Sequence, residues 1–263
     1  MLSFTSAQWS AWIAAFIFPL ARILALISSA PVLGNKQVPG HVKIGLSVLI
    51  TIIVAPTLDI PHGIEPGSAM GFLILLQQML VGLAMGFAMR IVFSAVEMSG
   101  ELAGLQMGLG FASFYDPQNA SFSPVLAQFL GIIATLAFLS LNGHLYMLDA
   151  LAASFHDFPI GTAAPSALGL HTLAIWTGSI FIYGVQMSMP LLGALLITNL
   201  ALGILTRSAP QLNLFAVGFP ITLAIGFIAV ALSIPALGPI FEHMINGGIE
   251  DMRKIAIQSA GGH

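Results

Sequence analysis

The chain contains no cysteine among its 263 residues, which removes disulfides, thiolate nucleophiles and thiolate-ligated metals together. It is nearly as poor in charge. Lys and Arg number 7, Asp and Glu 10, and together they make up 6% of the sequence, where a soluble domain averages about 25%. So few charges cannot cover a water-facing surface. The basic residues are scattered and the net charge is −3, so the clustered cationic face that neutralises phosphates is missing and nucleic acid is excluded as a partner. Also missing are G-x-x-x-x-G-K-[ST], H-E-x-x-H, G-x-S-x-G and a G-x-G-x-x-G that opens a helix after a strand. No two of the histidines at 41, 62, 144, 156, 171, 243 and 263 have the i, i+4 spacing of a helical zinc site. The sequence therefore assigns no catalytic residue, no metal and no cofactor.

What is abundant is apolar surface: 57% of residues are hydrophobic, 27 are glycine, and the mean hydropathy is +0.98. Apolar blocks run over residues 7–30, 42–58, 69–96, 124–155, 167–205 and 212–245. A membrane-crossing helix takes about 20 such residues. None of the blocks alternates with period two, as a lipid-facing barrel requires, so the expected class is all-α and membrane-associated. The links at 31–39, 56–66, 113–124, 156–165 and 206–210 are rich in Pro, Gly, Asn and Asp, which end helices and fix turns. Residues 9–30 end in small residues like a cleaved secretory signal, but no Lys or Arg precedes them, and they are read as retained. Lys36 and Lys43, Arg207, and Arg253 with Lys254 give conflicting orientations if the six blocks are six single crossings. Pro190 offers one escape, by splitting the fifth block into a hairpin. The last stretch, 247–263, is markedly hydrophilic and reads as a frayed, solvated tail behind a single helical domain at 1–246.

Ionisable groups inside apolar blocks are costly and therefore functional suspects; here they are Arg22, Arg90, Glu97, Glu101 and Asp149. Arg90 and Glu97 are seven residues apart, on one helix face. Glu97 and Glu101 are i, i+4 like charges, which repel slightly. Three readings stay open for them: a proton or cation path, contacts with neighbouring subunits, or an exposed helix end. Small residues spaced by four, Gly82 with Gly86 and Gly100 with Gly104 and Gly108, let helix backbones approach closely. The run from Gly104 through Gly108, Gly110 and Phe111 into Phe114, Tyr115, Asp116 and Pro117 has too many turn formers for a stable helix. From composition it is a loop, bulky and apolar enough to fill a hole.

Several runs together resemble one family. They are Gly100-Glu101, Gly104-Leu105-Gln106-Met107-Gly108-Leu109 and Phe111-Ala112-Ser113-Phe114-Tyr115-Asp116-Pro117; then Asn142-Gly143-His144-Leu145 and Ser154-Phe155-His156-Asp157-Phe158-Pro159-Ile160-Gly161; and finally Asn199-Leu200-Ala201-Leu202-Gly203, Arg207-Ser208-Ala209-Pro210-Gln211-Leu212-Asn213 and Gly218-Phe219-Pro220. In this order they are similar to the FliR family, the R subunit of the flagellar type III secretion export gate. The likeness covers essentially the whole chain, apart from the tail after Glu242 and the first 30 residues, where it is mainly one of hydrophobicity.

The resemblance implies a non-enzymatic pore or gate subunit of long, kinked helical hairpins, assembled with P and Q subunits (FliP, FliQ) and the export-switch B subunit. The assembly would spiral around a central pore at the bacterial inner membrane of the flagellar basal body, largely above the membrane plane, with much of its apolar surface against sister subunits and only part in contact with lipid, and pass unfolded flagellar subunits during flagellum biosynthesis. In the family a loop of this subunit plugs the closed pore; by motif match it is about 106–122 here. Met107, Gly108, Gly110, Phe111, Phe114, Tyr115, Asp116 and Pro117 are its expected working residues, with Phe111 and Phe114 sealing and the glycines supplying hinge freedom. Gly82, Gly86, Gly100 and Gly104 are expected to pack helices, and Arg90, Glu97 and Glu101 to make polar contacts between subunits. The alternatives are the equivalent subunit of a virulence injectisome, a pore-free scaffold, and an ion- or proton-coupled secondary transporter built around Arg90, Glu97 and Glu101. The last predicts two similar halves with broken helices, and no such internal symmetry is visible.

Overall fold

The structure, a computed structural model, describes residues 6–58, 64–111, 125–161, 166–209 and 214–259. Among them all regular secondary structure is helical, with no strand. The helices are α1 (Ser6–Ser29), α2 (Gly40–Val54), α3 (Ala69–Gln106), α4 (Val125–Ser140), α5 (Gly143–Asp157), α6 (Ala167–Thr177), α7 (Ser179–Ser208) and α8 (Leu214–Ser259), with short 3-10 turns at Ala55–Thr57 and Leu109–Phe111. Five stretches are long and apolar enough to cross a membrane: Gln8–Ser29, Gly40–Thr57, Ala69–Gln106, Leu168–Ser208 and Val217–Ser259, while α4 and α5 qualify as a bent pair. The chain is an all-α membrane protein.

The helix ends follow local chemistry. Pro39, in extended geometry, precedes α2, and Pro56 is the second residue of the 3-10 turn that follows it. At the start of α3 the Ser68 hydroxyl accepts a hydrogen bond from the Gly71 amide at 3.0 Å, satisfying one of the free first-turn donors. Between α4 and α5 Asn142 takes a left-handed conformation, φ 57°, one of the few side chains that tolerates it.

Two expectations are corrected. α7 runs unbroken through Pro190, and the interruption between α6 and α7 is the single residue Gly178, itself in right-handed helical geometry. Apolar membrane helices accept an internal proline because neighbouring groups satisfy the freed carbonyl. The stretch after residue 246 is not frayed. α8 continues to Ser259 with Met252, Ile255 and Ala256 buried, an i, i+3, i+4 stripe that gives this polar stretch an apolar inner face.

The chain forms two compact units. The first comprises residues 1–91, 142–177 and 245–263, with Phe18, Arg22, Ile23, Leu26, Ile27, Met85, Met89, Met147 and Phe158 among its largest fully buried side chains. The second comprises 92–141 and 178–244. Its core joins Ala103, Met107, Leu126, Leu191, Leu195 and Val230, and Phe93 stacks edge-on against Phe138 and Phe241 at centroid distances of 5.5 and 5.9 Å. α3 contributes residues to both units, and 67% of its most apolar stretch is buried, against 11% for α2.

Candidate functional site

The C-terminal end of α3 shows how the glycine ladder is used. A Cβ on Gly100 would lie 2.5 Å from the Ala127 Cα and 2.8 Å from its nitrogen, so the two backbones touch where α4 begins. At Gly104 the same atom would meet only Leu109 and Leu126, at an ordinary 3.8 Å. α3 ends at Gln106, the Met107 amide still donates to the Ala103 carbonyl at 2.9 Å, and the Gly108 amide donates to Leu105 at 3.0 Å. Gly108 then turns left-handed, φ 81°, which costs glycine nothing and a side chain about 1–2 kcal/mol. The chain leaves through the 3-10 turn at Leu109–Phe111.

Just before that pivot, Met107 is wholly buried. It fills the space over Gly226 of α8, where a Cβ would come within 2.6 Å of the Met107 Cγ. Around it lie Ala103, Leu126, Leu191, Leu195 and Val230, with Leu109, Leu223 and Ala229 packed against them. The segment is thus rooted by a flexible, unbranched side chain in an apolar core and swings away at a glycine. Of the residues expected to form a plug, Met107, Gly108 and Gly110 are placed, Phe111 is placed by its backbone, and Phe114, Tyr115, Asp116 and Pro117 lie outside the described residues.

Arg90, Glu97 and Glu101 are exposed and share an outward stripe of α3 with Leu83, Phe87 and Leu105. Glu97 runs along Gly131 of α4, its Cγ 3.9 Å from the position of a Cβ there. Neither carboxylate lies at a helix end, because α3 continues beyond both.

Gly82 and Gly86 sit in the first unit, against α1. A Cβ on Gly82 would strike the Arg22 carbonyl, and one on Gly86 the Ser29 hydroxyl. This approach brings α3 against a polar cluster that the sequence did not single out beyond Arg22 itself. The Arg22 guanidinium is fully buried and places five N–H bonds on acceptors. Nε and Nη2 donate to the Gln78 Oε1 at 2.8 and 2.5 Å; Nη1 donates to the Ser154 carbonyl at 2.7 Å and its hydroxyl at 3.1 Å; Nη2 also donates to the Phe158 carbonyl at 2.8 Å. The cation lies 4.3 Å from the Phe155 ring centroid and 5.5 Å from that of Phe158. All five N–H donors of the group are used, on four acceptor atoms of which the Gln78 Oε1 accepts twice, and this offsets the cost of burying the cation with no carboxylate among these partners. The run from Ser154 to Phe158 thereby acquires a physical role: it supplies the carbonyls and rings that hold Arg22. Elsewhere in this unit the Trp176 indole donates to the Ala88 carbonyl at 2.9 Å, and Asp149 pairs with Arg253 at 2.8 Å. No group of three or more metal-ligating side chains comes together among the described residues.

Residues 13–248 match the family described as bacterial export proteins, family 1. The Escherichia coli (strain K12) flagellar biosynthetic protein FliR is 42% identical over 246 residues, 94% of each chain. The protein of that name from Pectobacterium carotovorum subsp. carotovorum is 45% identical over 259 residues, 98% of each chain. That from Bacillus subtilis (strain 168) is 32% identical over 245 residues, 92% of this chain and 94% of its own.

Proposed function

This chain belongs to the FliR family of bacterial export proteins, and we propose that it is a non-enzymatic gate subunit whose segment at about 106–122 plugs a protein-conducting pore. As a relative of proteins named for flagellar biosynthesis it is a membrane subunit of the flagellar export apparatus. The finer reading is that it joins P, Q and B subunits in the inner membrane and passes unfolded flagellar subunits.

The observation that carries this reading is the exit from α3. Met107 is locked in an apolar core, and one residue later Gly108 reverses the chain. An anchored root beside a free pivot lets the bulky residues beyond it fill a lumen or leave it without unfolding α3. Deleting residues 110–120 is expected to raise ion leakage through the closed complex, because an apolar plug holds back ions by excluding water. Leakage equal to that of the parent overturns the plug.

The outward stripe of α3 supports subunit contacts over a proton path, since Arg90, Glu97 and Glu101 are exposed on the chain's own surface. Glu97→Gln with Glu101→Gln is expected to lower co-purification with the partner subunits and to reduce export only in proportion. Intact assembly with abolished proton-driven export would reverse that assignment.

A further inference from the structure

α2 is inside out by the standards of a water-soluble protein. Its two buried residues are Ser47 and Thr51, and the helix packs against α1. Their hydroxyls need no water, since Ser47 donates to the Lys43 carbonyl and Thr51 to the Ser47 carbonyl, each at 2.7 Å. The outward side carries Val42, Ile44, Leu49, Ile52 and Ile53, with Leu49 62% and Ile53 72% exposed. Small polar residues inside and branched apolar residues outside is the arrangement of a helix solvated by acyl chains, because interfaces between membrane helices take the small and polar side chains and leave the large apolar ones to lipid.

The ends of the hairpin agree with this. Residues 40–57 form 18 residues of near-continuous helix, about 27 Å at 1.5 Å per residue, close to the roughly 30 Å hydrocarbon core. The connection from α1 to α2 carries Lys36, with Lys43 folded back so that its ammonium donates to the Gly34 carbonyl at 2.9 Å, and no acidic residue lies between 22 and 58. The opposite end carries Trp9 and Trp12, exposed one turn apart and stacked edge-on at 5.8 Å. The sequence that follows α2 holds Asp59 and Glu65 and no Lys or Arg before Arg90. Tryptophan pairs belong to the headgroup layer, and lysines to the cytoplasmic side and its anionic lipids.

We propose that the α1–α2 hairpin is the lipid-facing element of this chain, with the outer face of α2 against acyl chains, residues 30–39 in the cytoplasmic headgroup layer and Trp9 with Trp12 in the opposite one. The proposal needs only that the chain is a membrane protein, and it stands or falls independently of the plug.

The absence of cysteine makes the test clean, since an introduced thiol is unique in the chain. Nitroxide labels are placed at Leu49→Cys, Ile53→Cys and, as the inward reference, Ser47→Cys. The full chain with its co-purifying subunits, their own cysteines replaced, is reconstituted in phosphatidylethanolamine and phosphatidylglycerol vesicles. Labels at 49 and 53 are expected to collide with oxygen and to be shielded from a water-soluble nickel chelate, while the label at 47 meets neither. If 49 and 53 also meet neither, another subunit covers α2 and the proposal falls; if the chelate reaches them, the face is wet and it falls again. The two outward positions are independent, so one variant that fails to assemble leaves the other to decide. For sidedness, Gln37→Cys is expected to react with a membrane-impermeant maleimide in inverted vesicles and to be protected in spheroplasts. Labelling in spheroplasts overturns the orientation.

Discussion

The two units hold themselves together by different physics. The first is organised around a buried cation whose five hydrogen bonds each demand a direction, linking α1, α3, α5 and the turn after α5. The second is filled by non-directional contacts: alanine, leucine, valine and a methionine around the root of the 107–111 segment, with glycine where backbones meet. Directional bonds have one satisfactory geometry, whereas apolar packing of small residues and methionine has several of similar energy. The contrast fits a fixed frame in the first unit and an adaptable seat, beside the proposed plug, in the second.

The largest way to break this contrast is at Arg22. Arg22→Ala would leave the Gln78, Ser154 and Phe158 acceptors buried without donors, each costing about 1–3 kcal/mol, and would open a cavity as well. The expected outcome is loss of the chain from membranes, read as its steady-state amount and as failure of the complex to co-purify. Arg22→Lys is expected to rescue little, because an ammonium has three donors and no planar fork to meet acceptors on two sides. A stable, fully assembled Arg22→Lys complex would mean that charge alone, and not the set of five bonds, holds the first unit.

In the second unit the same test is run on the glycines, with a smaller expected effect. Gly100→Ala forces a Cβ into the Ala127 backbone, which cannot rotate away, so a strain of about 1–3 kcal/mol is expected and a lower thermal midpoint of the purified complex. Four residues on, Gly104→Ala adds a methyl at ordinary contact distance and gains up to about 1 kcal/mol of helix propensity. It is expected to be neutral or stabilising. Equal damage at both would show that the ladder acts as a unit and not through one point of contact.

How much of this could be read from the sequence depends on how local each signal is. The boundaries of α2 were legible because Pro39 and Pro56 act on their own neighbours, whereas the break at Asn142, inside the fourth apolar block, was not. The close approach at Gly82, Gly86 and Gly100 was legible as a spacing, but not which glycines touch: Gly104 shares the spacing and lacks the contact. Arg22 stood out as a charge in an apolar helix, while its partners lie 56 and 132–136 residues away and two of its acceptors are backbone carbonyls, which have no signature in residue identity. The end of α8 was misread for the opposite reason. Its polar composition masked a stripe, Met252, Ile255 and Ala256, whose helical spacing was in plain view. Pro190 misled because the rule that proline ends helices belongs to water, where a freed carbonyl has little reason to stay in a helix.

The smallest expected effect lies at that same end of α8. Asp149, a suspect as a charge in an apolar block, proves to pair with Arg253 at 2.8 Å, but the two side chains are 66% and 49% exposed. In water such a pair contributes no more than about 1 kcal/mol and is screened by salt. Asp149→Asn is therefore expected to lower the thermal midpoint of the complex far less than Gly100→Ala does, and the difference from the parent should vanish at high ionic strength. The comparison is informative because the Arg22 cluster and this pair lie in the same unit and differ chiefly in solvation. A loss at Asp149→Asn that matched Gly100→Ala and resisted salt would show that a neighbouring subunit or lipid covers the pair in the assembled complex. The directional, desolvated bonding of the first unit would then reach its surface as well as its core.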